Sequence, residues 1–284
     1  MNPYIIPHTL RKSLPLLSLL VIAGTSRLHA DLTIVMDEDG EERISYFSKG
    51  KSAEYLDGMV DTIIDLKKDH YVSFNHSHKA FMQGKFSEMP KILEEQLQAH
   101  MSALLDNPMV QAMMAQQQEE AAKTKIEVKK GDVSEIAGYK YESHKVLANG
   151  KPAGEKWVSK QLANDISKEF DFDRFRKTLN AMDLAINSMV PQTPQEKAEQ
   201  DISNLGFVVY SAEAAFMGIG PLEVTEKLVS VSKDKIDASV FSAPQGYNEL
   251  PLAEFIQLGD EEDEEDWEDD DNEGDWEDDS WEEE

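Results

Sequence analysis

Cysteine is absent from all 284 residues. Its absence excludes disulfide staples, a thiol nucleophile, Cys-ligated zinc and a lipid-modified cysteine at a mature N-terminus. Long apolar runs are missing too. The stretch from Leu14 to Gly24 is 11 residues, and a helix needs roughly 20 to cross a bilayer, so no transmembrane segment is expected. Basic charge is scarce, with 28 Lys and Arg against 56 Asp and Glu and a net charge of −28. That balance speaks against nucleic acid or an anionic membrane surface as partner, because like charges repel. There is no Gly-rich phosphate loop, no Gly-x-Ser-x-Gly elbow and no His-Glu-x-x-His. No catalytic residue stands out, and a non-enzymatic protein is expected. Carboxylates are so abundant that choosing a glycosidase-like pair would carry no information. His76 and His78 would share a strand face, but they flank a turn and lack a third ligand, so neither a metal nor a cofactor is expected. Asp37-Glu38-Asp39-Gly40 starts like an EF-hand loop without its later ligands, and reads as a hairpin turn.

What is present begins with an export signal. Arg11 and Lys12 precede the apolar run, no acidic residue occurs before Asp31, and Leu28-His29-Ala30 ends on a small residue. Positive, apolar and small-residue segments in that order describe a secretory signal peptide over residues 1–30, cleaved near Ala30. The mature chain is then expected in the periplasm or outside the cell. Without disulfides it must be held by its own apolar core, and Cys-free export fits a bacterial envelope.

The charge is unevenly spread. Asp260 to Glu284 holds 19 acidic residues and no basic one. With +3 in the first thirty residues and −19 in this tail, residues 31–259 carry −12 of the −28. So dense a run of one sign cannot fold alone, so residues 259–284 are read as a disordered tail. Asp-Trp-Glu-Asp-Asp occurs at 266–270 and 275–279, and Trp281 begins a partial third copy. Three readings stay open: a solubilising tail, a docking segment that inserts Trp267, Trp276 and Trp281 into a basic protein partner, and weak calcium capture.

Residues 31–258 form the candidate domain. Strand patterns cover 32–36, 43–49, 61–66, 70–75 and 79–83, joined by turns short enough to demand antiparallel pairing. The period becomes helical over 88–123, with Met89, Leu93, Leu97, Met101 and Leu105 among the apolar positions and an interruption at Pro108. This segment, with Met109 and Met113, is either core packing or a pliable thioether lid over a pocket. Strands return at 124–129, 136–147 and 155–160. A helix is expected over 164–189, closed by Pro191 and Pro194, then a loop or short helix to 204. A strand follows at 206–210, and 222–231 and 235–241 read as a last hairpin around Lys233-Asp234. Strands, helix, strands, helix, strands describe one α+β domain, an antiparallel sheet with helices over one face.

The most diagnostic stretch is Ile136-Ala137-Gly138-Tyr139-Lys140, followed by Glu155-Lys156-Trp157-Val158. With Ile63 to His76 and the closing Phe241-Ser-Ala-Pro244-Gln-Gly246-Tyr247, it resembles a bacterial envelope family of domains of unknown function. That family is itself similar to the LolA and LolB lipoprotein carriers. The resemblance covers roughly residues 31–252 and not the tail. It implies a curved, incomplete antiparallel barrel with helices across its mouth and a cavity for a lipid or other apolar small molecule. It assigns no catalytic residue. Locally, Gly138 is expected to permit a bulge or close backbone approach within a strand, and Tyr139 and Trp157 to be core or cavity-wall aromatics. The expected function is therefore an exported apolar-ligand binding protein with an acidic docking tail. The alternative is an envelope structural or assembly factor that uses the tail to contact a basic or calcium-bearing partner.

Overall fold

The computed structural model describes residues 31–105, 107–187, 192–214, 221–256 and 258. The expected export signal over residues 1–30 and the acidic tail with Trp267, Trp276 and Trp281 lie outside them. Six strands come first: β1 (Leu32–Glu38), β2 (Glu41–Ser48), β3 (Lys51–Leu56), β4 (Met59–Asp65), β5 (His70–Asn75) and β6 (Ala80–Gly84). Helices α1 (Met89–Leu105) and α2 (Pro108–Lys123) follow, then β7 (Ile126–Ile136), β8 (Tyr139–Ala148) and β9 (Lys151–Ser159). Next come α3 (Lys160–Glu169), α4 (Phe172–Asn187) and α5 (Pro194–Ser203), and finally β10 (Phe207–Ala214), β11 (Leu222–Ser232) and β12 (Asn248–Glu249).

The strands form one curved, unclosed 12-stranded sheet in the order β12-β6-β5-β4-β3-β2-β1-β11-β10-β9-β8-β7. Every pairing is antiparallel except β12 on β6. Two meanders thus meet where β1 pairs with β11. Five hairpins turn on a dipeptide ending in glycine, Asp39-Gly40, Lys49-Gly50, Asp57-Gly58, Ala137-Gly138 and Asn149-Gly150, with both residues at positive φ. That geometry matches the twist of the flanking strands.

The structure corrects several expectations. Gly138 lies in a turn between strands, at φ 79° beside Ala137 at 48°. The irregularity in β7 falls instead between Lys130 and Val133. β3 was not apparent in the sequence, nor were the Lys49-Gly50 and Asp57-Gly58 turns on either side of it. The helix expected over 164–189 is two helices, because Phe170 is extended and Asp171 Oδ1 accepts the Arg174 N–H at 3.0 Å. Pro194 opens α5 instead of closing the helix before it; Thr193 and Glu196 make a reciprocal capping box there. The final hairpin does not form, since β1 already occupies the free side of β11. Residues 233–247 run across the sheet as a strap. Its course is set by the Ile236 N–H on Asp31 at 2.8 Å and by a 3₁₀ turn, Ala238–Phe241, capped by Asp237.

The main core lies between the sheet and α3 and α4. Leu32, Ile34 and Met36 of β1 alternate inward with Phe47, Ile64, Tyr71, Val209 and Leu228, and meet Leu162, Ile166, Phe170 and Phe172. α3 follows β9 without a loop because Ser159 caps it, accepting from the Leu162 N–H at 3.2 Å. This puts Leu162 and Ile166, both 0% exposed, one turn apart on the buried side. Burying each such side chain contributes about 1.5–3 kcal/mol. A second cluster, Ala53, Val60, Ile63, Val72 and Phe74, packs under the strap residues Val240, Phe241 and Tyr247. α5 closes a third with Ile202 on Val146 and Val158.

Candidate functional site

The residues singled out from sequence are placed in three environments. Met89 and Leu93 are half-buried on α1, and Met89 packs against the main core. Leu97, Met101 and Leu105 lie further along α1, with side chains outside the described set. Met109 and Met113 are 71% and 62% exposed on α2, a helix held mainly by α1. Tyr139 is buried, and its hydroxyl donates to Asp165 of α3 at 3.1 Å. Trp157 is stacked between Tyr141 and Tyr210, with ring centroids 4.6 and 4.0 Å away, and its Nε1–H donates to Glu155. His76 is engaged at both ring nitrogens, by the Tyr247 hydroxyl at 2.6 Å and the Val60 carbonyl at 2.8 Å. Among the described residues no three His, Asp or Glu side chains come close enough together to hold a metal.

A polar belt on the helix-covered face was not foreseen. Cross-strand partners share a face, so the register carries one row across five strands. His144 stands opposite Lys156, Lys156 opposite Ser211, Ser211 opposite Glu226, and Glu226 opposite Glu38. Glu38 is in phase with Leu32, Ile34 and Met36, which fill the core. Arg43, opposite Met36, forms an ion pair with Glu38 at 2.6 Å. Glu54 joins from β3, opposite Ser45. Carboxylates outnumber cations here, with physical consequences. Burial, reinforced by the neighbouring Glu38, pushes Glu226 up to about 7 despite Arg43 and Lys156. Glu54 keeps part of its surface in solvent, yet protein atoms crowd its carboxyl and raise its pKa, with Asp61 and Glu38 adding to the effect. Like charges directly opposite on a sheet are destabilising. The legible signal was a carboxylate in the inward phase of an otherwise apolar strand.

Two of the cavities among the described residues border α3, α4 and α5. One of about 580 Å³ lies among the β2–β3 turn, the β4–β5 turn and the α3–α4 junction, with Leu66 and Phe170 beside Lys49, Lys67, Lys168 and Arg174. Arg174 also ties α4 to the sheet, donating to the Leu66 carbonyl and to Asp69, each at 2.6 Å. The other, about 360 Å³, lies between α4, α5 and Lys156 of β9. No helix among the described residues is long and apolar enough to cross a membrane. Comparisons with protein-family models, curated proteins and solved structures find no match.

Proposed function

We propose that this chain is an exported, non-enzymatic binding protein. It holds a lipid or other apolar ligand between its curved sheet and the α1–α2 segment, in the manner of the LolA and LolB carriers it resembles, and its acidic tail docks it on a basic partner. The observation that carries the reading is α2. Met109 and Met113 sit about one turn apart on it, both exposed, and among the described residues α2 meets mainly α1. A folded domain gains nothing from that placement, whereas flexible thioethers on a loosely held helix adapt to apolar ligands of varied shape. The open, curved sheet with helices on its apolar face supplies the opposing wall.

Native mass spectrometry of the protein purified from its own host tests this. Wild type is expected to carry an adduct of lipid mass. The Met109→Gln/Met113→Gln variant should lose the adduct at an unchanged melting temperature, because neither side chain is in the core. A clean apo mass for wild type, or the same adduct on the variant, refutes it.

A further inference from the structure

The sheet ends on two unlike edges. One is the two-residue β12, paired on β6. The other is β7, 11 residues long and, among the described residues, paired only with β8; that is about twice the mean strand length. A free edge presents a row of unpaired N–H and C=O groups to any strand that can match it. Glu127 to Glu135 are all exposed, Val128 at 44% and Val133 at 63%.

In a regular strand, residues an odd number of positions apart point to opposite faces. The bulge in β7 changes this. Val128 opposes Val146 and Val133 opposes Glu142, and those two β8 residues share a face, so both valines do too. Glycine permits the bulge: a Cβ at position 131 would collide with the Ser143 hydroxyl. Lys129 and Asp132, each next to one of the valines, therefore project together from the other face. Lys129 opposes Lys145, and its ion pair with Glu127 spans 3.8 Å. Asp132 has no ion pair among the described residues, whereas Lys130 is already paired with Glu142 at 2.5 Å. β7 is thereby complementary to itself. Laid antiparallel beside a copy, with a two-fold axis between Lys130 and Gly131, it sets Val128 against Val133 of the partner subunit. The same register sets Lys129 against Asp132 of the partner subunit, and the symmetry repeats both pairs. A register one step either way opposes Glu127 to Glu135 or Lys130 to its own copy, and like charges directly opposite are destabilising.

We infer that two copies of this chain pair antiparallel through β7, joining their sheets edge to edge across that axis. Strand addition supplies main-chain hydrogen bonds. The Val128–Val133 pairs cover exposed apolar surface, and the Lys129–Asp132 pairs fix the register. Lysines and bulges commonly blunt a free edge; here their spacing makes the edge match its own copy. The inference goes beyond the ligand reading and uses none of its residues.

Sedimentation velocity of the protein purified from its own host tests this, at about 150 mM salt to screen repulsion between the acidic tails. Wild type should pass from monomer to dimer between about 1 and about 200 μM. Lys129→Asp and Asp132→Lys, made singly, each put like charges opposite one another and should raise the dissociation constant at least about tenfold. The combined Lys129→Asp/Asp132→Lys variant restores opposite signs and should recover the wild-type constant. All three should melt with wild type, because both side chains are exposed. Hydrogen exchange needs no variant: amides in Glu127–Glu135 should slow at the high end of the concentration range. A wild type that stays monomeric, or whose β7 amides exchange alike at both ends of the range, overturns the proposal. So do single variants that dimerise as wild type does, or a double variant that fails to recover.

Discussion

Replacing Glu226 by Gln removes the charge most at odds with its surroundings. In the folded chain its carboxyl binds a proton at about 7, because burial and the facing Glu38 disfavour the anion; an ordinary glutamate does so at 4.5. The sign follows from comparing the two states. Below pH 4.5 Glu226 is protonated folded or unfolded and contributes nothing to pH dependence. Between 4.5 and 7 the unfolded chain releases the proton while the folded chain keeps it, so stability falls as pH rises. Above 7 the full cost applies. A gap of about 2.5 pH units at 1.36 kcal/mol each is about 3 kcal/mol. Glu226→Gln should match wild type at pH 4.5 and exceed it by about 3 kcal/mol at pH 8. For a domain of this size that is a rise of on the order of 5–10 °C in melting temperature. Urea unfolding followed by far-ultraviolet circular dichroism across this range measures both. A difference independent of pH, or a variant less stable than wild type at pH 8, refutes the reasoning. It would mean that Arg43 or Lys156 already holds the charge.

Three further substitutions probe how the fold positions these surfaces. Ser159→Ala removes the α3 cap and the hydroxyl donated to the Lys140 carbonyl at 2.7 Å; a loss of about 1–2 kcal/mol is expected by denaturant titration. Asp165 is raised by partial burial, but hydrogen bonds from Lys168, Lys233 and Tyr139 outweigh this and lower it to about 2. Its stabilisation is therefore present above 3.8 and lost as pH falls toward 2. Asp165→Asn should cost about 1–3 kcal/mol at pH 7, and an acid titration by circular dichroism should show that deficit shrinking below pH 3.8. Tyr247→Phe deletes the hydroxyl contact to His76. Hydrogen exchange at the Asn248 and Leu250 amides, which bond to Lys79 and Phe81 carbonyls, should quicken while the β1 and β11 amides stay protected.

How much was legible depended on how local the cause was. The Asp39-Gly40 hairpin, the break at Pro108 and the strand over 32–36 are decided within a few residues, and each was readable. β3 was not, because Lys51-Ser-Ala-Glu-Tyr-Leu56 has no apolar alternation of its own. It is a strand because β2 and β4 flank it with complementary edges. Residues 235–241 read as a strand and are not one, because the edge they would have joined is filled by β1, some two hundred residues earlier in the chain. Of the aromatics, Tyr139 is buried in the main core, one of the two placements its sequence context left open. The partners of Trp157 come from β8 and β10, which no local pattern specifies.

The sequence alone determined the α+β character, the antiparallel pairing of the first strands, the Asp39-Gly40 turn and the charge asymmetry of the tail. These follow from side-chain period, backbone preference and composition, which act over short spans. Tertiary structure alone decided which carboxylates meet. Glu38 and Glu226 become neighbours only through the β1–β11 register, and Asp183 and Glu199 only through the packing of α4 and α5 over β9. Electrostatic and hydrogen-bond energies depend on distance and burial, and both are properties of the assembled fold.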